Sequence, residues 1–426
     1  MIFEVLSSVV MGGLALHAHL SKNNTSNDSK KLNKVFSLSG LNVKDGNQTY
    51  TAHLVKKKNY EWGTEYRYRI PLGRSPEDYM SKLEVIKTAI NQRQVKLQLK
   101  DFRELKFDKN FFNQFKSIYD RKLLDNKEVD ISYDGLLKIR IYNSPFPREN
   151  AWTEALLKEG TWQVIIGSGR KGNTYHDFDK RKHLIIAGAT GFGKSVIMKS
   201  IITCLILSKP NDVSFSLIDL KGGAAFSRFK NTKQVINFGT NNEGALEILK
   251  SVQLRMNRSY EKIVNDGYED VSEAGISERH FLFIDEAADL TDDKECMEIL
   301  TNIVRKGRGA GFYVVYATQY PSAQAIPMQI KRNIPARLCF VLDSATASMT
   351  VLDAAGAESL PEIPGRGIYK EVSQTILQTP YMANKTIEQL LKPYIIDKTR
   401  EVSPSEKTTH TETGSHTVII EETRLS

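Results

Sequence analysis

Cysteine is scarce in this sequence. The 426 residues contain only Cys204, Cys296 and Cys339, and no two of them form a CxxC pair. Three isolated thiols do not indicate a disulfide framework or a zinc site, and the pattern fits a reducing cytosol. Each cysteine lies in an apolar or helical stretch, so we expect small buried hydrophobes rather than reactive thiols.

Long hydrophobic runs are also scarce, and internal repeats are absent. One apolar stretch of membrane-spanning length, "MIFEVLSSVVMGGLALHAHL", covers residues 1–20 and is broken by Glu4, His17 and His19. It lacks the positive n-region of a signal peptide. The lysines after it would place the rest of the chain at the cytoplasmic face of the cell membrane. A membrane anchor helix and a peripheral or buried helix both remain open.

The charge balance is basic. The formal net charge is +9, and 40% hydrophobic residues indicate a globular protein with a real core. Residues 51–150 hold 21 Lys+Arg against 14 Asp+Glu and so carry +7 of this charge. Such a balance is compatible with a polyanionic partner, either nucleic acid or anionic lipid.

The length allows two or three domains. Residues 21–50 are rich in Ser, Asn and Lys and are predicted to form a linker. The strand-like stretches "YRYRIPL", "QVKLQL" and "GLLKIRIYN", with a helix signal at Ser75-Pro76, indicate a small basic α/β adaptor domain over residues 51–155. Residues 160–385 alternate strands and helices, which predicts an α/β domain with a parallel sheet. Residues 386–426 are polar and predicted to be largely disordered.

A phosphate-binding loop lies in the larger domain. The stretch 188–195 satisfies GxxxxGK[ST], with an apolar strand before it and a helix after it. Its backbone N–H groups and the helix N-terminus suit an anion, which predicts ATP with Mg²⁺. Lys194 would reach the β- and γ-phosphates, and Ser195 would ligate the metal. The predicted nucleotide-binding residues are Gly188, Ala189, Thr190, Gly191, Phe192, Gly193, Lys194 and Ser195.

Polar residues follow three further apolar strands. "FLFI" ends in Asp285-Glu286, which predicts a metal-holding carboxylate and a base that polarises the attacking water. The alternative is a helix start that carries N-terminal acids. "GFYVVYATQYP" places Gln319 where it can bond the γ-phosphate or the water. "FSLIDLKGG" ends near Asp219 and Lys221, which are either part of the site or a surface pair. The carboxyl ends of such strands converge on one edge of an open sheet.

Seven blocks in this order resemble the FtsK/SpoIIIE family of hexameric double-stranded-DNA pumps. They are "GATGFGKS", "IDLK", "RMNRSY", "IDEAADL", "RGAGFYVVYATQYP", "IKRNIPARLCF" and "VLDAAGAESL", between Val164 and Ala383. The resemblance implies a RecA-like P-loop NTPase motor and ATP hydrolysis at sites shared between subunits of a homo-hexameric ring. It places an arginine finger at Arg308, with Arg337 as a second candidate. A surface salt bridge is the alternative for either arginine.

The sequence departs from this family where its members face DNA. The arginine after "ATQ" is Tyr320, and "DSR" is replaced by Ala347-Ser348-Met349. Lys331 and Arg332 remain as candidate DNA contacts, and Tyr320 can still hydrogen-bond a phosphate.

The layout resembles FtsK-like coupling proteins of Gram-positive conjugative elements, because a sequence-reading winged helix and a long multi-span N-terminal region are missing. The expected function is an ATP-driven DNA translocase that delivers mobile-element DNA to a membrane channel, with relaxase and channel proteins as partners. Alternatives are a partitioning pump for chromosome, plasmid or phage DNA, an ATPase of a protein-secretion system, and a nucleotide-dependent scaffold.

Overall fold

The computed structural model describes residues 28–91 and 127–396. The candidate anchor at 1–20, the predicted strand "QVKLQL" and residues 397–426 of the tail lie outside these ranges. Within the described ranges, no helix is both long and apolar enough to cross a bilayer.

The N-terminal unit is a four-stranded antiparallel sheet with helices on one face. The strand order is β3-β4-β6-β5, and β1 and β2 form a separate hairpin. The elements are α1 (Asp28–Leu38), β1 (Val43–Asp45), β2 (Gln48–Tyr50), β3 (His53–Tyr60), β4 (Gly63–Arg69), α2 (Pro76–Met80), α3 (Leu83–Ile90), β5 (Val129–Tyr133) and β6 (Leu137–Tyr142). The helix signal at Ser75 is a capping box, since Ser75 and Asp78 each bond the other's backbone N–H.

The predicted linker over residues 21–50 is wrong from residue 28 onward, where α1 and the β1–β2 hairpin form. Helix α1 buries Leu32, Val35 and Phe36, whose spacing of three and four residues places them on one face. The Phe36 ring packs edge-on against Tyr68 and Tyr79, with centroids 5.3 and 5.2 Å away. The polar composition of this segment concealed a three-residue apolar stripe.

The larger unit contains a ten-stranded sheet in the order β11-β10-β12-β13-β9-β14-β15-β16-β7-β8. Its first six strands are parallel, and the remaining pairs are antiparallel. Its strands are β7 (Gln163–Gly169), β8 (Gly172–Asp177), β9 (Leu184–Ala187), β10 (Val213–Asp219), β11 (Val235–Gly239), β12 (Arg279–Asp285), β13 (Phe312–Thr318), β14 (Ala336–Phe340), β15 (Arg366–Lys370) and β16 (Gln374–Gln378).

Helices cover both faces of this sheet, and two hydrophobic clusters form its core. The helices are α4 (Lys194–Ser208), α5 (Asn242–Asn265), α6 (Lys294–Ala310), α7 (Met328–Asn333), α8 (Ala345–Leu352) and α9 (Asn384–Leu391). Alternate residues of a strand point to opposite faces, so Phe281 and Phe283 of β12 join one cluster while Leu282 and Ile284 join the other. This two-sided burial explains the continuous apolar runs of β9, β12 and β13.

The ordered motor extends beyond the predicted boundary at residue 385. Helix α9 buries Ile387 and Leu391, which are four residues apart on one face, and a bridge joins Thr232 to Ile395. The prediction of disorder is therefore wrong for residues 386–396.

Candidate active site

The carboxyl ends of four parallel strands meet at one edge of the large sheet, in the order β10-β12-β13-β9. Asp219 lies directly beside Asp285 in the register of β10 and β12. Thr318 lies beside Ala187 in the register of β13 and β9, one residue before the phosphate-binding loop. The strand order therefore brings together the polar residues that the sequence places at strand ends.

The loop between β9 and α4 depends on glycine at two positions. Gly188 has φ of 157°, and a Cβ atom there would lie 2.5 Å from the Cβ of Phe340. Gly193 has φ of 112° and caps the N-terminus of α4, a left-handed conformation that a side chain would strain. The loop consequently delivers the first turn of α4, with its unpaired N–H groups, to the sheet edge.

Lys194 and Asp285 form a buried ion pair across the site. Their side chains are 4% and 3% exposed. A buried charge without a partner is costly, so each of these groups depends on the other in this structure. A phosphate that enters the loop competes with Asp285 for the Lys194 ammonium.

Glu286 is held in a strained backbone conformation and by three contacts. Its φ and ψ are 58° and 55°, the left-handed region that few non-glycine residues adopt. Its Oε1 accepts from Thr318 Oγ1 and from the Gln319 N–H, both at 3.0 Å. Lys221 Nζ lies 3.0 Å from Oε2, as an ion pair rather than an aligned hydrogen bond. Strain of this kind concentrates at functional sites.

These contacts determine the charge of Glu286. Burial by itself raises the pKa of this carboxyl group, but the Gln319 N–H and the ammonium groups of Lys221 and Lys194 outweigh burial. The net pKa lies below the ordinary value of 4.5. Glu286 is therefore a carboxylate at neutral pH, as a residue that accepts a proton must be.

The side chains of Asp219 and Lys221 do not form an ion pair, although the Lys221 backbone N–H donates to Asp219 Oδ1 at 3.2 Å. Asp219 is buried, and its carboxylate accepts from the N–H groups of Ala225 at 2.7 Å and Phe226 at 3.2 Å, which fixes the turn after β10. Lys221 instead contacts Glu286. Gln319 is oriented by the phosphate-binding loop, because the Thr190 hydroxyl donates to its Oε1 at 2.7 Å.

A cavity of about 560 Å³ opens beside the loop and contains residues that the sequence analysis missed. One wall comprises residues 148–151 and residues 378–381, which meet where Ala151 bridges Tyr381. Among them, Arg148 and Tyr381 are exposed, whereas Asn150 donates to Ser168 and to the Gln378 carbonyl. No sequence motif marks this wall, since it arises from the pairing of β16 with β7.

Ser195 and Asp285 are the predicted metal ligands. A hydroxyl and a carboxylate, completed by phosphate oxygens and water, suit the oxygen-seeking Mg²⁺ ion. Ser195 lines the cavity, and Asp285 ends β12 beside it. Within the described ranges no group of three or more His, Cys, Asp or Glu residues forms a metal cage.

Arg308 lies at the opposite edge of the sheet from the phosphate-binding loop. It belongs to the last turn of α6, just before β13 begins, whereas the loop follows the carboxyl end of β9. Arg308 is exposed, and no salt bridge joins it to a described residue, although its charge helps to lower the pKa of the nearby acid Asp270. Burial is the main cause that lowers the pKa of Lys182, and the positive charge of Arg308 lowers it further. Because Lys182 lies just before β9, Arg308 is near the amino end of that strand.

The other basic candidates have different surroundings. Arg337 is buried and binds Asp353 and the Val351 carbonyl. The Lys331 ammonium lies 2.6 Å from Asp353 Oδ1, and its side chain is only 12% exposed. Arg332 is exposed. Of the two candidate DNA contacts, Arg332 is thus the accessible one.

The positions that replace the arginines of the FtsK/SpoIIIE pattern are also accessible. Tyr320 is 72% exposed and Met349 is 50% exposed. The three cysteines are buried, and burial raises the pKa of each thiol. The prediction of small buried hydrophobes is confirmed for all three.

The sheet order, the loop and the strand-end acids define a P-loop NTPase with a RecA-like motor. Residues 160–281 match the family model of the FtsK/SpoIIIE family. This matched region contains the first three of the seven blocks, and the predicted resemblance to the FtsK/SpoIIIE family is confirmed.

Known proteins resemble the chain over different lengths. The DNA translocase FtsK of Streptococcus pneumoniae is 28% identical over 293 residues, 62% of this chain and 38% of that protein. The chain thus spans well under half of this relative. The structure of the pCW3 conjugation coupling protein TcpA, in its monomer form with ATPγS, is 20% identical with a TM-score of 0.57 and covers 86% of this chain and 99% of TcpA. EssC ATPases 2 and 3 from Geobacillus thermodenitrificans are 13% identical with a TM-score of 0.54 and cover 59% of this chain and 51% of that one.

Proposed function

We propose that this protein is an ATP-driven translocase of double-stranded DNA. The observation that carries the proposal is the division of catalytic groups between two edges of one sheet. Lys194, Asp285 and Glu286 lie at the carboxyl edge, and Arg308 lies at the amino edge, exposed and without a salt bridge to a described residue.

Within one subunit, the phosphate-binding loop and Lys194 hold the nucleotide. Ser195 and Asp285 would hold Mg²⁺, which neutralises charge on the phosphates when bound. Glu286 accepts a proton from the attacking water at its carboxylate, and its contacts with Thr318, Gln319 and Lys221 fix its orientation. Gln319 links this carboxylate to the phosphate-binding loop. Its backbone N–H donates to Glu286, and its side-chain Oε1 accepts from Thr190 of the loop.

Between subunits, Arg308 would complete the neighbour's site. It cannot serve its own loop, because the two lie at opposite edges of the sheet. An arginine supplied in trans stabilises charge on the transferred phosphoryl group. Repeating this head-to-tail contact generates a closed ring, and we propose a homo-hexamer with duplex DNA in its channel.

The proposed biological role is conjugation. The relative in S. pneumoniae is named a DNA translocase, which supports DNA as the substrate. The fold likeness to the coupling protein TcpA covers 86% of the chain. This share is larger than the motor domain alone, so the likeness extends into the N-terminal unit. We therefore propose that the protein acts at the cytoplasmic face of the cell membrane, where it delivers mobile-element DNA from a relaxase to channel proteins.

ATP hydrolysis by the full chain, with and without duplex DNA and at two salt concentrations, tests the substrate. We expect stimulation by DNA that weakens at the higher salt concentration, because phosphate contacts release counterions. Stimulation by a secreted peptide instead would indicate a protein-secretion ATPase, and no hydrolysis would indicate a scaffold. Deletion of the gene separates the two DNA roles, since a coupling protein affects transfer of the element and a partitioning pump affects its maintenance.

A further inference from the structure

Among the residues that the structure describes, no helix of the N-terminal unit packs on one face of its four-stranded sheet, which we call the open face. Its other face is covered by α1, α2 and α3, whose apolar residues pack on Tyr66, Tyr68 and Ile139. Residues directly opposite each other on paired strands share a face. Tyr66 lies on the covered side, so Glu65 and Arg67, the residues before and after it in β4, lie on the open side. Their cross-strand partners on β3 and β6 lie on the open side with them.

This open basic face is strongly charged. The four strands and the turn after β5 carry six cations and three carboxylates on this face, a surplus of three positive charges. The cations are Lys56, Lys58, Arg67, Arg69, Lys138 and Arg140, and the carboxylates are Glu65, Asp130 and Asp134.

The carboxylates neutralise only one half of the open basic face. Arg67 and Arg140 both bind Glu65, at 2.9 and 3.0 Å. Arg140 also binds Asp130, and Lys138 binds Asp134. The three remaining cations, Lys56, Lys58 and Arg69, are exposed and lack an acidic partner within the described ranges.

Two of the unpaired cations lie on β3 at the edge of the sheet, and the third, Arg69, ends the neighbouring strand β4. Lys56 and Lys58 are alternate residues of the edge strand β3, about 7 Å apart along the strand. The Lys58 ammonium lies over the Tyr60 ring, 4.8 Å from its centroid. The end of the sheet near Tyr142 is instead occupied by Arg170 of the large unit, whose guanidinium lies 4.9 Å from the Tyr142 ring centroid. The accessible region of this face is thus the one that carries the unpaired cations Lys56, Lys58 and Arg69.

We infer that this open basic face is a second DNA-binding surface, which contacts the phosphate backbone of the duplex before or after it passes the motor. This inference rests on the proposed function. Exposed ammonium and guanidinium groups without carboxylate partners neutralise phosphates and carry no base-reading geometry. The surface therefore guides DNA without regard to sequence.

The test is the salt dependence of DNA binding by the full chain. A labelled duplex of arbitrary sequence is titrated at several salt concentrations, and the slope of log K against log salt concentration is compared between variants. Lys56→Gln/Lys58→Gln should make this slope shallower by about two, because each phosphate contact contributes about 0.9. Lys56→Arg/Lys58→Arg should retain the wild-type slope.

The matched control is Lys30→Gln/Lys34→Gln, which removes two exposed lysines from α1 on the covered side of the same unit. We expect its slope to equal that of the wild type. An unchanged slope in the β3 variant, or an equal change in both variants, would overturn the inference. Loss of binding to vesicles of anionic lipid, with DNA binding intact, would also overturn it and indicate a membrane-facing surface.

This result is distinct from failure of the proposed function. A wild-type chain that neither binds duplex DNA nor hydrolyses ATP faster in its presence would refute the translocase. A wild-type chain that does both, while the β3 variant keeps the full salt slope, would refute only the second surface.

Discussion

The ammonium of Lys194 is bound by the carboxylate of Asp285, and both groups are buried. The sequence separates these residues by about 90 positions, and the adjacency of β9, β13 and β12 brings them together. Lys194, the predicted phosphate-binding cation, is thus paired with Asp285, the predicted metal ligand. We expect an entering phosphate to release both groups at once.

Lys194→Ala should abolish nucleotide binding and also destabilise the protein. Removal of one member of a buried pair leaves an uncompensated charge and costs about 3–5 kcal/mol. Lys194→Ala/Asp285→Ala should recover most of this loss while it remains unable to bind nucleotide. Urea unfolding measures the first effect, and titration with a fluorescent ATP analogue measures the second. Equal instability of the single and double variants would contradict the role of the pair.

Glu286→Gln should bind ATP normally but hydrolyse it about 10²–10⁴-fold more slowly, because the attacking water loses its proton acceptor. The amide fits the same space, so loss of nucleotide affinity would argue against this role. Glu243→Gln, an exposed acid at the start of α5, is the matched control and should leave the turnover number unchanged.

Lys221→Met should change the pH dependence of hydrolysis. Lys221 helps to keep the pKa of Glu286 below its ordinary value, so its removal raises that pKa while burial still acts. The carboxylate is then protonated at a higher pH, and the rate declines earlier on the acid side. Turnover measured between pH 8 and pH 5 should remain level longer in the wild type than in the variant. Lys385→Met, which alters an exposed lysine, should follow the wild type.

Arg308→Ala should lower turnover on the order of 10³-fold or more while nucleotide affinity stays nearly constant. Mixing it with Lys194→Ala/Asp285→Ala sharpens the test. One variant binds ATP and offers no arginine, and the other offers its arginine but binds no ATP. We expect hydrolysis to recover at interfaces where both intact halves meet. Absence of recovery at every mixing ratio, with assembly on DNA preserved, would exclude Arg308 as the shared group.

The parts of the fold that the sequence predicts well are those in which a contiguous motif determines local structure. The loop from Gly188 to Ser195 contains its glycines and its flanking strand and helix within one stretch. The acids at the end of β12 follow a run that is apolar on both faces of the strand. Their arrival at one edge follows from parallel pairing alone.

The missed features depend on contacts between distant segments. Lys221 meets Glu286 because β10 pairs with β12 in one particular register, and neither residue type reveals that register. The cavity wall at residues 148–151 forms only when β16 pairs with β7. The linker prediction is wrong for helix α1 because lysine, serine and asparagine outnumber its three buried apolar residues, so its overall composition is that of a polar linker.

The separation of Arg308 from the phosphate-binding loop has a numerical consequence. In the proposed ring, each chain contributes half of one site at each edge of its sheet, so an isolated chain would own no complete site. An open row of chains has one complete site fewer than its number of subunits, and closing the row adds the last one. We therefore expect specific activity to depend on protein concentration and on ring closure, and dilution should abolish hydrolysis before the protein unfolds. The rate of ATP hydrolysis would then report the fraction of subunits that are assembled.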